Sequence, residues 1–160
     1  MTKYEKAMYN QGRNDALSTQ KLASKMTDTE LNEKDDTIPD FQAAVKVENM
    51  LNRQIGFVCK SSAGRVVRLL QPYDSNIFPQ EPEELTAQWG FAWSTDPKKA
   101  KPFVSIATSP YNKGDCCIFD NVVQRSKIDN NVYSPKEYPD GWEIVNLNPE
   151  ELEEENGVVE

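Results

Sequence analysis

The chain has 160 residues, 38% of them hydrophobic, with 10 prolines and a mean hydropathy of -0.72, so any core it builds is small. A net charge of -8 opposes a phosphate backbone, where Lys and Arg must displace counterions, and nucleic acid is not an expected partner. Histidine is absent, which excludes Ser-His-Asp and Cys-His catalysis and removes the usual general base and metal ligand.

Residues 1–48 differ in composition from the rest, with no tryptophan and no proline before Pro39. Ala7, Met8, Ala16, Leu17, Leu22 and Met26 sit at loosely helical spacings and predict a helix near residues 3–25, with Gly12 and Asn14 weakening its middle. Thr27-Asp28-Thr29-Glu30 has the form of a capping box opening a second short helix that Pro39 ends. The amphipathic piece from Phe41 to Glu48 reads as either strand or helix. A thin-faced helix without its own core needs a partner, so 1–48 is expected to be an arm for attachment or oligomerisation; a frayed terminus is the alternative.

Downstream, Gly56 to Lys60 reads as a strand, Ser61-Ser62-Ala63-Gly64 as a turn and Arg65 to Gln71 as the partner strand. Later, Asp115 to Phe119 and Val122 to Ile128 flank Asp120-Asn121, two residues that tolerate the positive φ of a tight hairpin. The polar, proline-bracketed stretch 94–101 is expected to be an exposed, stiff linker. The acidic end, 149–160, reads as a solvated tail. No apolar run is long enough to span a membrane and the first residues do not read as a signal peptide, so synthesis in a cytoplasm without secretory export is expected.

The two hairpins belong to a repeat. Gly56-Phe57-Val58-Cys59, Val66-Val67-Arg68, Asp74-Ser75-Asn76-Ile77-Phe78-Pro79 and Trp89 are answered in order by Gly114-Asp115-Cys116-Cys117, Val122-Val123-Gln124-Arg125, Asp129-Asn130-Asn131-Val132-Tyr133-Ser134-Pro135 and Trp142. Each copy is a hairpin feeding a loop with an aromatic near a proline, closed by a tryptophan. Such a unit displays a flat ring and is poorly suited to acid–base chemistry. The cysteines are three, two of them adjacent, which fits neither a disulfide framework nor a zinc site; Cys59 and Cys117 are expected to be small buried hydrophobes.

Leu70-Gln71-Pro72, the polar loop to Phe78-Pro79 and Ala87-Gln88-Trp89 resemble the family 5 and 12 carbohydrate-binding modules of chitinases. Tyr111, Gly114-Asp115, Arg125, Asp129-Asn130-Asn131, Tyr133, Pro135, Tyr138-Pro139 and Trp142 follow the same pattern with a shorter loop, closest to versions in bacteriophage structural proteins. The resemblance covers residues from about 50 to 148. It implies a mainly β chain with an N-terminal helical arm and two small antiparallel three-stranded units, at 49–93 and 102–148. It also implies that Trp89 and Trp142 are core, and that Phe78 and Tyr133, where the family's chitin binders place an outward ring, stack on sugar. Asn76 and Asn131 would bond hydroxyls, with Gln71, Tyr73 and Asp129 as secondary candidates. Phenylalanine and tyrosine replace the tryptophan expected at the stacking positions and offer less area. The alternative for both rings is packing against a neighbouring module or subunit.

The function expected is that of a non-catalytic bacteriophage virion component, a head fibre, decoration or tail-accessory protein. Its partners would be other virion proteins, cell-surface polysaccharide and copies of itself, with a trimer as the expected oligomer. No cofactor, metal or membrane insertion is expected. Alternatives are an assembly protein that uses the modules only for protein contacts and an acidic inhibitor of a host enzyme.

Overall fold

The computed structural model describes residues 2–147; the expected acidic tail, 149–160, lies outside them. A long N-terminal helix precedes two small sheets, of three and four strands, and beyond the helical N-terminal third the regular structure is mostly sheet. The chain divides into two compact units, one ending at Ala92 and the other beginning at Trp93.

Helix α1 spans Lys3–Leu22 and continues as a single 3-10 turn over Ala23–Lys25. A capping box starts it: Thr2 Oγ1 accepts from the Glu5 N–H at 3.0 Å, and Glu5 returns the bond to the Thr2 N–H at 2.8 Å. Thr27 caps α2 (Asp28–Glu33) by accepting from the Glu30 N–H at 3.1 Å. The piece that reads as strand or helix is a helix, α3 (Phe41–Val47). Phe41 and Ala44 enter the core together, which requires the three-to-four-residue period and not alternation.

These helices do not form a separate arm. Ala23, Leu31 and Ile38 are buried with Val58, Val66 and Ala92, and the Phe41 ring meets Trp89 edge-on at 5.9 Å. The boundary expected at 48/49 therefore does not divide the molecule. The strands it would isolate, β1 (Val58–Lys60), β2 (Val66–Leu69) and β3 (Trp89–Phe91), are three or four residues long, and a sheet that small needs packing against another element. Side chains pin the helices down. Gln20 exchanges two bonds with the backbone of Val58, Arg68 donates to the carbonyls of Ala23 and Met26, and Asn32 donates to the carbonyl of Ala92.

In the second unit β4 (Lys101–Pro102) runs parallel to β5 (Cys116–Phe119), followed by antiparallel β6 (Val122–Ser126) and β7 (Trp142–Ile144). The stretch expected to be a linker is built into this unit. Ser94 and Ala100 are buried, Ser94 accepts from the Cys116 N–H at 2.9 Å, and Pro97–Lys99 makes a 3-10 turn capped by Asp96. A proline-bracketed polar segment reads as a spacer until its backbone is seen to complete the sheet edge. Aromatic rings replace the helices here: Trp93 stacks on Tyr111 at 4.4 Å, and Trp142 meets Phe103 and Tyr111 edge-on.

The repeat holds at the level of register. Val58 pairs with Arg68 and Leu69 with Trp89; Cys116 pairs with Arg125 and Ser126 with Trp142. Gly56 and Gly114 occupy the same place before the first strand, at φ +93° and +98°, each donating to the carbonyl of the matching second-strand residue, Leu69 or Ser126. Each first strand also has a parallel neighbour on its outer edge, an isolated bridge between Asp40 and Lys60 in one unit and β4 in the other. The second hairpin turns through Asp120 and Asn121 at φ 50° and 62°.

Cys59 and Cys117 are wholly buried on matching strands, and neither is in a disulfide. Burial raises the pKa of both thiols, that of Cys117 to about 12. Thiol reagents are expected to leave the native chain unmodified at neutral pH and to titrate the cysteines after unfolding. The pH dependence follows in sign. The stability these protonated thiols carry is fully present below pH 9.0, where the unfolded thiol is neutral too, and falls as pH rises towards 12. The slope is about 1.4 kcal/mol per pH unit per thiol. Denaturant titrations on either side of pH 9.0, repeated with Cys117→Ala, check it: the variant should lose one thiol's share of the slope.

Candidate carbohydrate-binding surface

The loops that carry the candidate rings join the second and third strands of each repeat, residues 70–88 and 127–141. The same side-chain network ties both down. Asn49 accepts from the Ser75 N–H and Asn112 from the Asn130 N–H, each at 3.1 Å. Beside them Asp74 accepts from the Asn49 amide at 2.9 Å and Asp129 from the Lys113 N–H at 3.0 Å. The bonds from the Asn49 side chain and the Asn76 backbone hold the Asp74 carboxyl below the usual carboxylate range. Asp129 is thus exposed but serves as a loop brace.

A buried tryptophan then fixes each loop from below. Trp89 and Trp142, placed in the core by the sequence analysis, are both buried. The indole of Trp89 donates to the Tyr73 hydroxyl at 3.0 Å, and that of Trp142 to the carbonyl of Tyr133 at 2.9 Å. Tyr73 is consequently a core residue with its hydroxyl engaged, not a sugar contact, and burial pushes its phenol up.

Asn131 also needs correction. It is wholly buried, its amide donates to Ser126 Oγ and the Gly141 carbonyl, and its oxygen accepts from the Tyr133 N–H. It shares its place in the repeat with Asn76, which is exposed. In the shorter second loop Asn131 turns inward and ties Ser126 on the second strand to the carbonyl before Trp142 and to the Tyr133 backbone. Gln71 is exposed, like Asn76, on the first loop.

Phe78 and Tyr133 lie about half exposed on their separate loops. Their surroundings differ. Tyr133, 52% exposed, has a second ring beside it, Tyr138, 41% exposed, with centroids 6.1 Å apart and planes at 66°. With Glu137 the two rings line a shallow depression of about 280 Å³. Ser134 and Glu137 exchange side-chain-to-backbone bonds at 3.1 and 3.2 Å, a one-turn clamp that sets the spacing of the rings. Beside Phe78 the exposed neighbour is Ile77. At the position before the 3-10 turn of the first loop, where the second has Tyr138, stands Glu81, bonded to the Ser62 N–H and the Gln42 amide.

The sequence reading therefore misses Tyr138 and Glu137 as site residues, and Asn49 and Asn112 as braces. For Tyr138 the signal was available, an aromatic directly before a proline, as Phe78 stands before Pro79. Gly141 is a hidden requirement: a Cβ there would lie 2.6 Å from the Tyr138 ring.

Two aromatic faces and one carboxylate over a shallow floor suit the apolar face and hydroxyl rim of a sugar. Among the described residues no group of three or more Cys, Asp or Glu side chains is placed to hold a metal ion, and no helix is long and apolar enough to cross a membrane. Comparisons with family models, curated proteins and solved structures return no match.

The Gly141 contact is testable as a coupling. Gly141→Ala alone is expected to destabilise the chain by about 1–3 kcal/mol through overpacking. In a Tyr138→Ala background the same substitution should cost much less. Denaturant unfolding of the four chains of this cycle measures the difference, and equal costs in both backgrounds would contradict the contact.

Proposed function

We propose that the chain is a non-catalytic display protein of a bacteriophage virion, and that its second unit holds a glycan chain on the Tyr133–Tyr138 ring pair. The observation that carries the reading is that pair: two half-exposed rings, 6.1 Å apart, supported from below by Trp142 and by the absence of a Cβ at Gly141. The resemblance of both repeats to family 5 and 12 carbohydrate-binding modules supports it, as does the shared register of the two units. Exposed aromatic rings on a braced loop lose little conformational entropy on binding.

The units would divide the work. Ile77 and Phe78 form a small apolar spot without a second ring, which suits contact with another virion protein better than contact with a sugar. Made in the host cytoplasm and carried on the particle, the chain would use its first unit for attachment and turn its second towards cell-surface polysaccharide.

Retention on insoluble chitin and on cell-wall polysaccharide, read by co-sedimentation, tests the proposal. Tyr133→Ala with Tyr138→Ala should abolish retention while the unfolding transition stays cooperative, and Phe78→Ala should leave it nearly unchanged. Failure of the unaltered chain to bind any of a panel of glycans would favour the assembly-only reading.

A further inference from the structure

Helix α1 is only half used by its own fold. Every described residue from Thr2 to Asp15 is exposed, and burial begins with Ala16, Thr19 and Ala23. A free half-helix of this length is marginal in water, so this one needs a partner. The exposed face has a definite seam. Tyr4, Met8, Gln11, Asp15, Ser18 and Leu22 follow one another at intervals of four and three residues, the spacing of a helix–helix contact. Tyr4, Met8 and Leu22, at 74%, 59% and 49% exposure, place its apolar groups at the two ends.

A receptor lies beside the C-terminal end of the same seam. Leu22, Met26, Thr19, Thr37, Asp15 and Asp36 line a cavity of about 420 Å³ between α1 and the turn at Asp35–Thr37. Its charged lining is mainly acidic, with Glu33 also present and Lys34 the one cation. The opposite end of α1 carries Lys3 and Lys6 on either side of Tyr4, together with the positive end of the helix dipole. The basic, aromatic end and the mainly acidic cavity, with Leu22 and Met26 in its lining, are on one chain but at opposite ends of one helix.

We infer that α1 pairs antiparallel with α1 of a second copy across a two-fold axis. Tyr4 of each copy then enters the cavity of the other against Leu22, Met8 faces Ser18, and Gln11 faces Asp15. Lys3 and Lys6 lie over the partner's acidic rim. The contact is isologous and closes on itself. A parallel trimer, the oligomer expected from sequence, would set Asp15 against Asp15 and leave each cavity without its ring. This pairing is independent of glycan binding, since it uses only the first unit.

Sedimentation velocity on the full chain across a wide concentration range is expected to show reversible monomer–dimer exchange. Tyr4→Glu with Met8→Glu should abolish the dimer while the unfolding transition stays cooperative, because both side chains are exposed within their own chain. Asp36→Lys should weaken it, and adding Lys3→Glu and Lys6→Glu should restore part of the loss. Mixing a Tyr4→Cys chain with a Leu22→Cys chain should give a crosslinked heterodimer under mild oxidation, whereas Tyr4→Cys alone should not crosslink. A monomer at every concentration, a trimer, a dimer insensitive to Tyr4→Glu, or self-crosslinking of Tyr4→Cys would each overturn the inference.

Discussion

A tryptophan buried beneath three short strands brings one polar atom with it, and the destination of that N–H shapes both units. Leaving it without an acceptor would cost on the order of 1–3 kcal/mol, a large share of what so small a core supplies. Both repeats solve the problem by reaching into the loop above: Trp89 to the hydroxyl of Tyr73, Trp142 to the carbonyl of Tyr133. Each core ring is therefore tied to the loop that carries an exposed ring. In the second unit the link is direct, since the residue whose carbonyl is held is the one whose side chain faces solvent.

The second common constraint is that a three-residue strand cannot cover itself. The two copies keep identical pairing registers but recruit different covers. Gln20 on α1 satisfies both backbone groups of Val58, while at the matching position the Cys116 N–H is met by the Ser94 carbonyl. Three helices shield one sheet; stacked Trp93, Tyr111 and Phe103 shield the other. With the frame held constant and the covers exchanged, each copy is able to specialise. Glu81 closes off the first loop with two hydrogen bonds where Tyr138 opens the second as a ring.

Much of this was legible in the residues. The capping signal at Thr27, the turn at Asp120-Asn121 and the paired glycines are local, and local chemistry decides them. The docking of the helices was not. Ala23, Leu31, Ile38, Phe41 and Ala44 are too scattered to form an obvious apolar stripe, because several short elements each contribute one or two side chains to a shared roof. The segment after Trp93 misled in the opposite way, its polarity and prolines concealing a backbone that completes a sheet edge. Asn76 and Asn131 share a place in the repeat and not a fate, since a difference in loop length moves one outward and the other into the core.

The unequal reach of the two covers has a consequence for synthesis on the ribosome. The first unit joins Leu31 and Ile38 to Ala92, so its core cannot close until the third strand has emerged, and α1 must wait uncovered through most of that time. The second unit draws its shielding rings from the residues immediately upstream of its own strands. Shorter loops have to be closed there, and loop closure governs how soon a small sheet assembles. The half that begins later is the half better placed to finish quickly, leaving the slow, long-range closure as the step during which a chaperone would find exposed apolar surface.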